Sequence, residues 1–270
     1  DHRDRRAPIV ALVALLMIAP ARDVAAAENP EVAQRRAAQR VDFTDDEIIS
    51  GFMLTAIGAE FQISGRGDRI RKYETPVRVF IDNHGAPDRS GAVKRVVADI
   101  ARHVRNLDIA VTRDRARANF VVTLLRQRAL FPKLAEIFGH ARARDIRSRL
   151  DPQCLSGFRK DGGYRIEHSD VILVTDIREF DFLDCAYEEM LQALGPINDT
   201  DKVPWTMFND DVQMGFFDIY DQYIMNVLYD PRMRPGMTAA EARAMLPQIL
   251  PSAREWVARV NAPAPAQRRD

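Results

Sequence analysis

A single predicted helix with an unusual polar face constrains this chain most. Residues 185–199 read Cys-Ala-Tyr-Glu-Glu-Met-Leu-Gln-Ala-Leu-Gly-Pro-Ile-Asn-Asp. Glu188 and Gln192 are four residues apart, so on a helix their side chains project from the same face. An apolar stripe on the same helix consists of Met190, Leu191 and Leu194. One interpretation is therefore an amphipathic helix whose glutamates form a solvated face.

The spacing also resembles the zinc-binding helix of the metzincin peptidases, which reads H-E-x-x-H-x-x-G-x-x-H/D. In that alignment Glu189 takes the position of the catalytic glutamate, and Gly195 takes the position of the glycine turn. The three ligand positions fall on Glu188, Gln192 and Asn198, none of which is histidine. The resemblance therefore implies a zinc-peptidase scaffold whose zinc ligands have been replaced.

The resemblance extends to the surrounding domain. Met207 lies in a segment, residues 204–209, that resembles the methionine turn beneath metzincin metal sites. Leu228-Tyr229 is similar to a pair that those enzymes often carry after the site. The resemblance implies a zincin-like α+β fold, in which a small mixed β-sheet packs against helices and the motif helix is followed by a Met-turn-like loop.

The pattern E-E-x-x-Q-x-x-G-x-x-N-D, which ends at Asp199, also resembles an uncharacterised family of exported proteobacterial proteins, classed only as a domain of unknown function. This resemblance implies that the loss of the histidines is a family trait. It brings no known activity.

The replaced ligand positions offer only oxygen atoms. Zinc sites in proteins are built mainly from histidine nitrogen and cysteine sulfur, whereas calcium, magnesium and manganese prefer oxygen ligands. The sequence therefore predicts no conventional zinc site. It leaves open a hard divalent cation, with the candidate ligands Glu188, Gln192, Asn198 and Asp199.

The N-terminus has the features of a secretory signal peptide. An arginine-rich start precedes an apolar run over residues 9–19, and Ala25-Ala26-Ala27 offers a cleavage site. We expect residues 1–27 to be removed, which leaves a periplasmic or secreted protein without a transmembrane segment; an uncleaved anchor is the alternative. In an oxidising compartment Cys154 and Cys185 are the only possible disulfide pair. Two buried free thiols are the alternative.

Hydrophobic periodicity and turn signals divide the rest of the chain. We expect a polar linker over residues 28–40, one zincin-like domain over residues 41–262 and a disordered tail over residues 263–270. The domain contains a loop over residues 152–163. Helices are predicted over 45–60, 91–105, 131–150, 186–195 and 216–228, and two more begin at Thr238 and Ser252; strands are predicted over 77–81, 108–112, 119–125 and 165–175.

Other chemistries find less support in the sequence. The net charge is zero, so no overall field attracts nucleic acid or anionic membranes. The arginines of residues 131–150 are more typical of a solvated helix face than of a nucleic-acid site. His168-Ser169-Asp170 contains the atom types of a catalytic triad, but adjacent strand residues point to opposite faces of a sheet.

Three functions follow as hypotheses. The first is an exported zincin-like domain without peptidase activity, whose cleft binds a peptide, an envelope component or a hard metal ion. The second is a divergent metal-dependent hydrolase with Glu189 as general base. The third is a structural or partner-binding envelope protein in which the cleft is vestigial.

Overall fold

The chain folds into helices around one mixed sheet, as expected for the α+β class. The computed structural model describes residues 28–57, 69–150, 153–196 and 198–263. Within these ranges it contains eight α-helices and a five-stranded sheet. The expected signal peptide and the tail after residue 263 lie outside the described residues. None of the described helices is long and apolar enough to cross a membrane.

The elements are numbered in chain order. The helices are α1 (Pro30–Ala38), α2 (Asp45–Ala56), α3 (Ser90–His103), α4 (Gln127–Phe138), α5 (His140–Leu150), α6 (Glu179–Gln192), α7 (Ile219–Leu228) and α8 (Ala239–Val260). The strands are β1 (Val77–Asn83), β2 (Ile109–Val111), β3 (Phe120–Leu125), β4 (Cys154–Lys160) and β5 (Ile166–Val174). The predicted strands are thus present with shifted ends, and so are the predicted helices up to α7, except that the helix predicted over 131–150 is divided at Gly139 into α4 and α5.

The sheet has the strand order β2-β1-β3-β5-β4, in which β4 alone runs antiparallel to its neighbour. Successive side chains of a strand point to opposite faces. Val171 and Leu173 of β5 therefore join the main core, together with α2, α3, α6, α7 and α8. Ile172 and Val174 join a smaller core under α4 and α5. The sheet is consequently covered on both faces.

Strand β4 was predicted as a loop, and that prediction is wrong. The segment lacks a clear apolar alternation, since it contains Ser156 and Gly157 and most of its side chains are half-buried. Its register comes instead from main-chain pairing with β5, in which Ser156 lies opposite Val171. An edge strand of this kind is fixed by its neighbour more than by its own sequence.

Part of the segment expected to be a linker forms helix α1. Asn29 caps this helix by accepting a hydrogen bond from the Glu31 amide. Val32 is buried, and the guanidinium groups of Arg35 and Arg36 lie over aromatic rings of the domain at 4.6 and 4.2 Å from the ring centroids. These cation–π contacts explain why a polar sequence is ordered here.

The C-terminal region forms one helix, α8, and not the two that were predicted. The helix begins where the sequence predicted, at Thr238, which forms a capping box with Glu241, and it continues through Pro247 and Pro251. Ser252 does not cap a new helix, because its hydroxyl donates to the Ile249 carbonyl of the preceding turn. Continuous burial of the apolar face offsets the loss of two backbone donors. That face includes Leu246, Ile249, Leu250, Ala253 and Val257.

The predicted disulfide is confirmed, since Cys154 and Cys185 are bonded. Cys154 begins β4 and Cys185 lies in the middle of α6. The bond therefore ties the edge strand directly to the helix that carries the candidate site.

We predict that replacing both cysteines by serine lowers the free energy of unfolding by about 3–4 kcal/mol, because the crosslink closes a loop of 31 residues. Guanidinium denaturation of the double variant and of the oxidised wild type measures this difference. Dithiothreitol should reproduce the loss in the wild type and leave the variant unchanged. Equal stability of the variant and the oxidised protein would contradict the prediction.

Candidate functional site

Three carboxylates converge beside helix α6. One oxygen from each of Glu188, Asp199 and Asp210 lies within 4.8 Å of the other two. Glu188 and Asp199 are half-buried, and Asp210 is exposed. Glu188 comes from α6, whereas Asp199 and Asp210 come from the irregular segment between α6 and α7. The structure thus brings together two of the four predicted ligand residues and adds Asp210, which the sequence analysis did not identify.

Gln192, a third predicted ligand, is hydrogen-bonded at both ends of its amide. Its Nε2 donates a short hydrogen bond to Asp199 Oδ1. Its Oε1 accepts a hydrogen bond from the Ser156 hydroxyl at 3.4 Å. A glutamine side chain binds a metal through its oxygen, and here that oxygen faces Ser156. Gln192 therefore positions Asp199.

Ser156 faces α6 because of the register of β4. It lies directly opposite Val171, whose side chain belongs to the main core. Residues that face each other across an antiparallel pair point to the same side of the sheet. The sequence did not reveal Ser156, because its segment lacks the apolar alternation of a strand and was predicted as a loop.

Asn198, the fourth predicted ligand, fastens the segment after α6 to the end of α2. Its backbone N–H donates to the Thr55 carbonyl at 3.2 Å, and its Nδ2 donates to the Leu54 carbonyl at 3.0 Å. The side-chain oxygen is buried and has no hydrogen-bond partner among the described residues. These contacts fix the position of the adjacent Asp199.

Gly195 permits the turn that leads the chain out of α6. Its φ angle is +144°, a conformation that residues with a side chain rarely adopt. A Cβ atom at this position would lie 2.5 Å from the Arg71 carbonyl oxygen and 2.7 Å from Leu228 Cδ2. Only glycine therefore fits this close approach.

Met207 is buried in a turn that is hydrogen-bonded to Asp221 of α7. Its backbone N–H donates to Asp221 Oδ2 at 2.8 Å, and the Thr206 hydroxyl donates to Asp221 Oδ1 at 2.5 Å. Asp218 caps α7 by accepting from the Tyr220 and Asp221 amides. Burial raises the pKa of both aspartates, and their proximity raises that of Asp218 further. The loop that leads to Asp210 is thus anchored on a buried acidic pair.

Glu189, the predicted catalytic residue, lies next to the cluster in a buried position. Burial raises its pKa to about 7, while a hydrogen bond with Ser156 opposes the shift and Asp210 adds to it. A carboxyl group with a pKa near neutrality is suited to proton transfer. The pKa of Glu189 therefore lies in the range that a general acid or base requires, and its catalytic role stays a prediction.

The acidic groups around α6 destabilise one another in the charged state. Burial raises the pKa of Glu188 well above its usual value, and Glu189 and Asp199 raise it further. Burial also raises the pKa of Asp184 to about 6, against the opposing effect of hydrogen bonds from the Met214 and Gly215 amides. The site therefore holds more protons in the folded than in the unfolded chain.

We predict that the melting temperature falls as the pH rises from about 5 to about 8 in the presence of a chelator. Unfolded carboxyl groups titrate near pH 4, whereas those of Asp184 and Glu189 titrate at about 6 and about 7 in the folded chain. Their contribution to stability is complete below the unfolded pKa and is lost as the pH rises through the folded values. Differential scanning calorimetry across this interval measures the slope.

The matched variants are Asp184→Asn and Asp211→Asn. The first keeps an oxygen that accepts from the Met214 and Gly215 amides but removes the titrating group, so the slope should become shallower. The second removes an exposed carboxylate of the segment between α6 and α7 and should leave the slope unchanged. A melting temperature that rises between about pH 5 and about pH 8 would overturn this electrostatic description.

Comparison with known proteins adds a family but no activity. No curated protein matches the chain. The sequence profile of the family described as "Protein of unknown function (DUF2927)" matches residues 45–248. The matched segment begins with α2 and includes the sheet, α6 and all three residues of the carboxylate cluster. The chain therefore belongs to the family of unknown function DUF2927.

Proposed function

We propose that this protein is an exported, zincin-like binding domain without zinc-peptidase chemistry, and that it holds a hard divalent cation beside α6. The observation that carries the proposal is the convergence of Glu188, Asp199 and Asp210, whose oxygens lie within 4.8 Å of one another. Like charges at this separation repel one another. A divalent cation bound between them would convert that repulsion into attraction.

The donor set fits a hard cation better than zinc. Carboxylate oxygens are the preferred ligands of calcium, magnesium and manganese. Zinc requires mainly nitrogen or sulfur donors, and the residues at the ligand positions of the resemblance offer neither. The side-chain oxygen of Gln192 faces Ser156. Of the three residues at the ligand positions of the resemblance, Glu188 is the one that belongs to the carboxylate cluster.

The zincin-like and exported parts of the proposal have separate support. A motif helix, a glycine turn at Gly195 and a buried Met207 turn follow one another in the order that the metzincin resemblance implies. The disulfide between Cys154 and Cys185 is typical of proteins in an oxidising compartment.

We predict that calcium or manganese raises the melting temperature of the wild type. At a free cation concentration of about 100 times the dissociation constant, binding stabilises the folded state by about 2.7 kcal/mol. For a domain of this size we expect an increase of roughly 5–10 °C. Differential scanning calorimetry with and without chelator measures the shift, and isothermal titration calorimetry measures the stoichiometry.

The variant Asp210→Asn should lose the cation-dependent increase. Without cation it should be slightly more stable than the wild type, because one repelling charge has been removed. Its control is Asp211→Asn, an exposed neighbour that should keep the wild-type response. If the wild type binds none of calcium, magnesium and manganese, or if both variants respond alike, the proposed cation site is wrong.

A divergent hydrolase is the second candidate, and the position of Glu189 favours it specifically. This residue is buried beside the cluster, and its pKa of about 7 lets it accept a proton at neutral pH. In a hydrolytic reaction it would take the proton of an attacking water molecule and later deliver it to the leaving group.

If the protein is a hydrolase, Glu189→Gln should lower the rate about 100-fold or more, the usual contribution of a general base. A broad peptide-library assay of the wild type and the variant measures this, and Glu179→Gln on the exposed end of α6 is the matched control. An active wild type whose rate survives Glu189→Gln excludes Glu189 as the base. An inactive wild type that binds cation supports the binding domain alone.

A further inference from the structure

The turn between α4 and α5 lies on the surface and exposes two large apolar side chains. Every residue from Glu136 to Arg142 is exposed. Ile137 and Phe138 in this segment are 47% and 45% exposed. They are two of the four exposed large apolar side chains among the described residues. Gly139, with φ at +79°, ends α4 directly after this pair. We call α4 and α5 together the hairpin, and residues 136–142 the hairpin tip.

The base of the hairpin is fixed to the sheet, so the exposure of the tip is not the result of a missing core. Leu130, Leu134 and Ala143 are buried against Ile172 and Val174 of β5. These contacts satisfy the apolar face of both helices. Ile137 and Phe138 lie beyond them and contribute nothing to the smaller core.

The hairpin is strongly basic in a chain whose net charge is zero. Residues 126–150 contain seven arginines or lysines and two acidic residues. Both acidic residues are paired within the hairpin, Glu136 with Lys133 at 3.0 Å and Asp145 with Arg142 at 3.2 Å. Arg128 and Arg144 are exposed. The apolar tip is thus carried by helices with a local positive field.

We propose that the hairpin tip docks onto the surface of an anionic lipid bilayer. Side chains such as Phe138 and Ile137 would enter the boundary between headgroups and acyl chains, while Arg128 and Arg144 would contact anionic headgroups. Basic segments with a few large apolar residues bind membrane surfaces by this combination. Two exposed apolar side chains offer far less contact area than a stable protein interface of about 1,200–2,000 Å² requires.

The test is flotation of the full chain with vesicles of two compositions. One contains phosphatidylglycerol and phosphatidylcholine in equal parts, and the other contains phosphatidylcholine alone. We expect binding to the anionic vesicles only, with a loss at high salt because the basic side chains are screened. The variant Ile137→Ser/Phe138→Ser should weaken this binding about tenfold or more, and Arg128→Glu/Arg144→Glu should do the same.

Matched controls separate the tip from general surface effects. Val41→Ser/Val111→Ser removes two other exposed apolar side chains, and Arg102→Glu/Arg243→Glu reverses two exposed charges outside the hairpin. Both controls should bind like the wild type, and circular dichroism should show that every variant is folded. Equal binding to both vesicle compositions, no binding to either, or equal loss in controls and tip variants would overturn the proposal. So would a dimer that the tip variants dissociate, because a second copy would then cover the tip.

Discussion

Mutual repulsion among carboxylates that the fold holds close together is the constraint on which the site depends. The segment between α6 and α7 holds Asp199 and Asp210 close to Glu188, so that one oxygen of each carboxylate lies within 4.8 Å of the others. Gly195 turns this segment tightly out of α6, and Asn198 fastens it to α2. Bound protons or a bound cation must therefore offset the repulsion. The raised pKa of Glu188 favours a bound proton. The proposed site would instead hold a cation between the three carboxylates.

The sheet separates this site from the other surface to which we assign a function. Alternate residues of β5 point to opposite sides, so Val171 faces the core of α6 while Ile172 faces α4 and α5. The disulfide couples β4 to α6, and the register of β4 directs Ser156 toward Gln192. The carboxylate cluster and the hairpin tip are thus carried by different layers, and variants of one surface should leave the other intact.

Local patterns predicted the regular part of the fold well. The helix starts predicted at residue 45 and at Thr238 are confirmed, and Thr44 and Thr238 form capping boxes there. Strong apolar periodicity placed α3 and β3 within one or two residues of their ends. Strand β4 was missed because its pairing with β5, and not its own composition, determines its conformation. The break predicted at Ser252 was wrong because continuous packing carries α8 through two prolines.

The candidate site was predictable only where helix geometry determines it. The positions of Glu188, Glu189 and Gln192 on α6 follow from their spacing along one helix. Asp210 lies eleven residues after Asp199 in an irregular segment, and no local pattern shows that the two carboxylates meet. The role of Gln192 was also hidden, because it depends on Ser156 in a strand that the sequence did not reveal.

Anomalous diffraction from crystals grown with manganese would show whether the carboxylate cluster holds a cation. We expect a manganese peak between the three carboxylates, with one oxygen each from Glu188, Asp199 and Asp210 at about 2–2.5 Å. Crystals of the Asp210→Asn variant should lack that peak. A wild-type crystal in which manganese binds elsewhere, while the three carboxylates remain together without it, would contradict the proposed cation site.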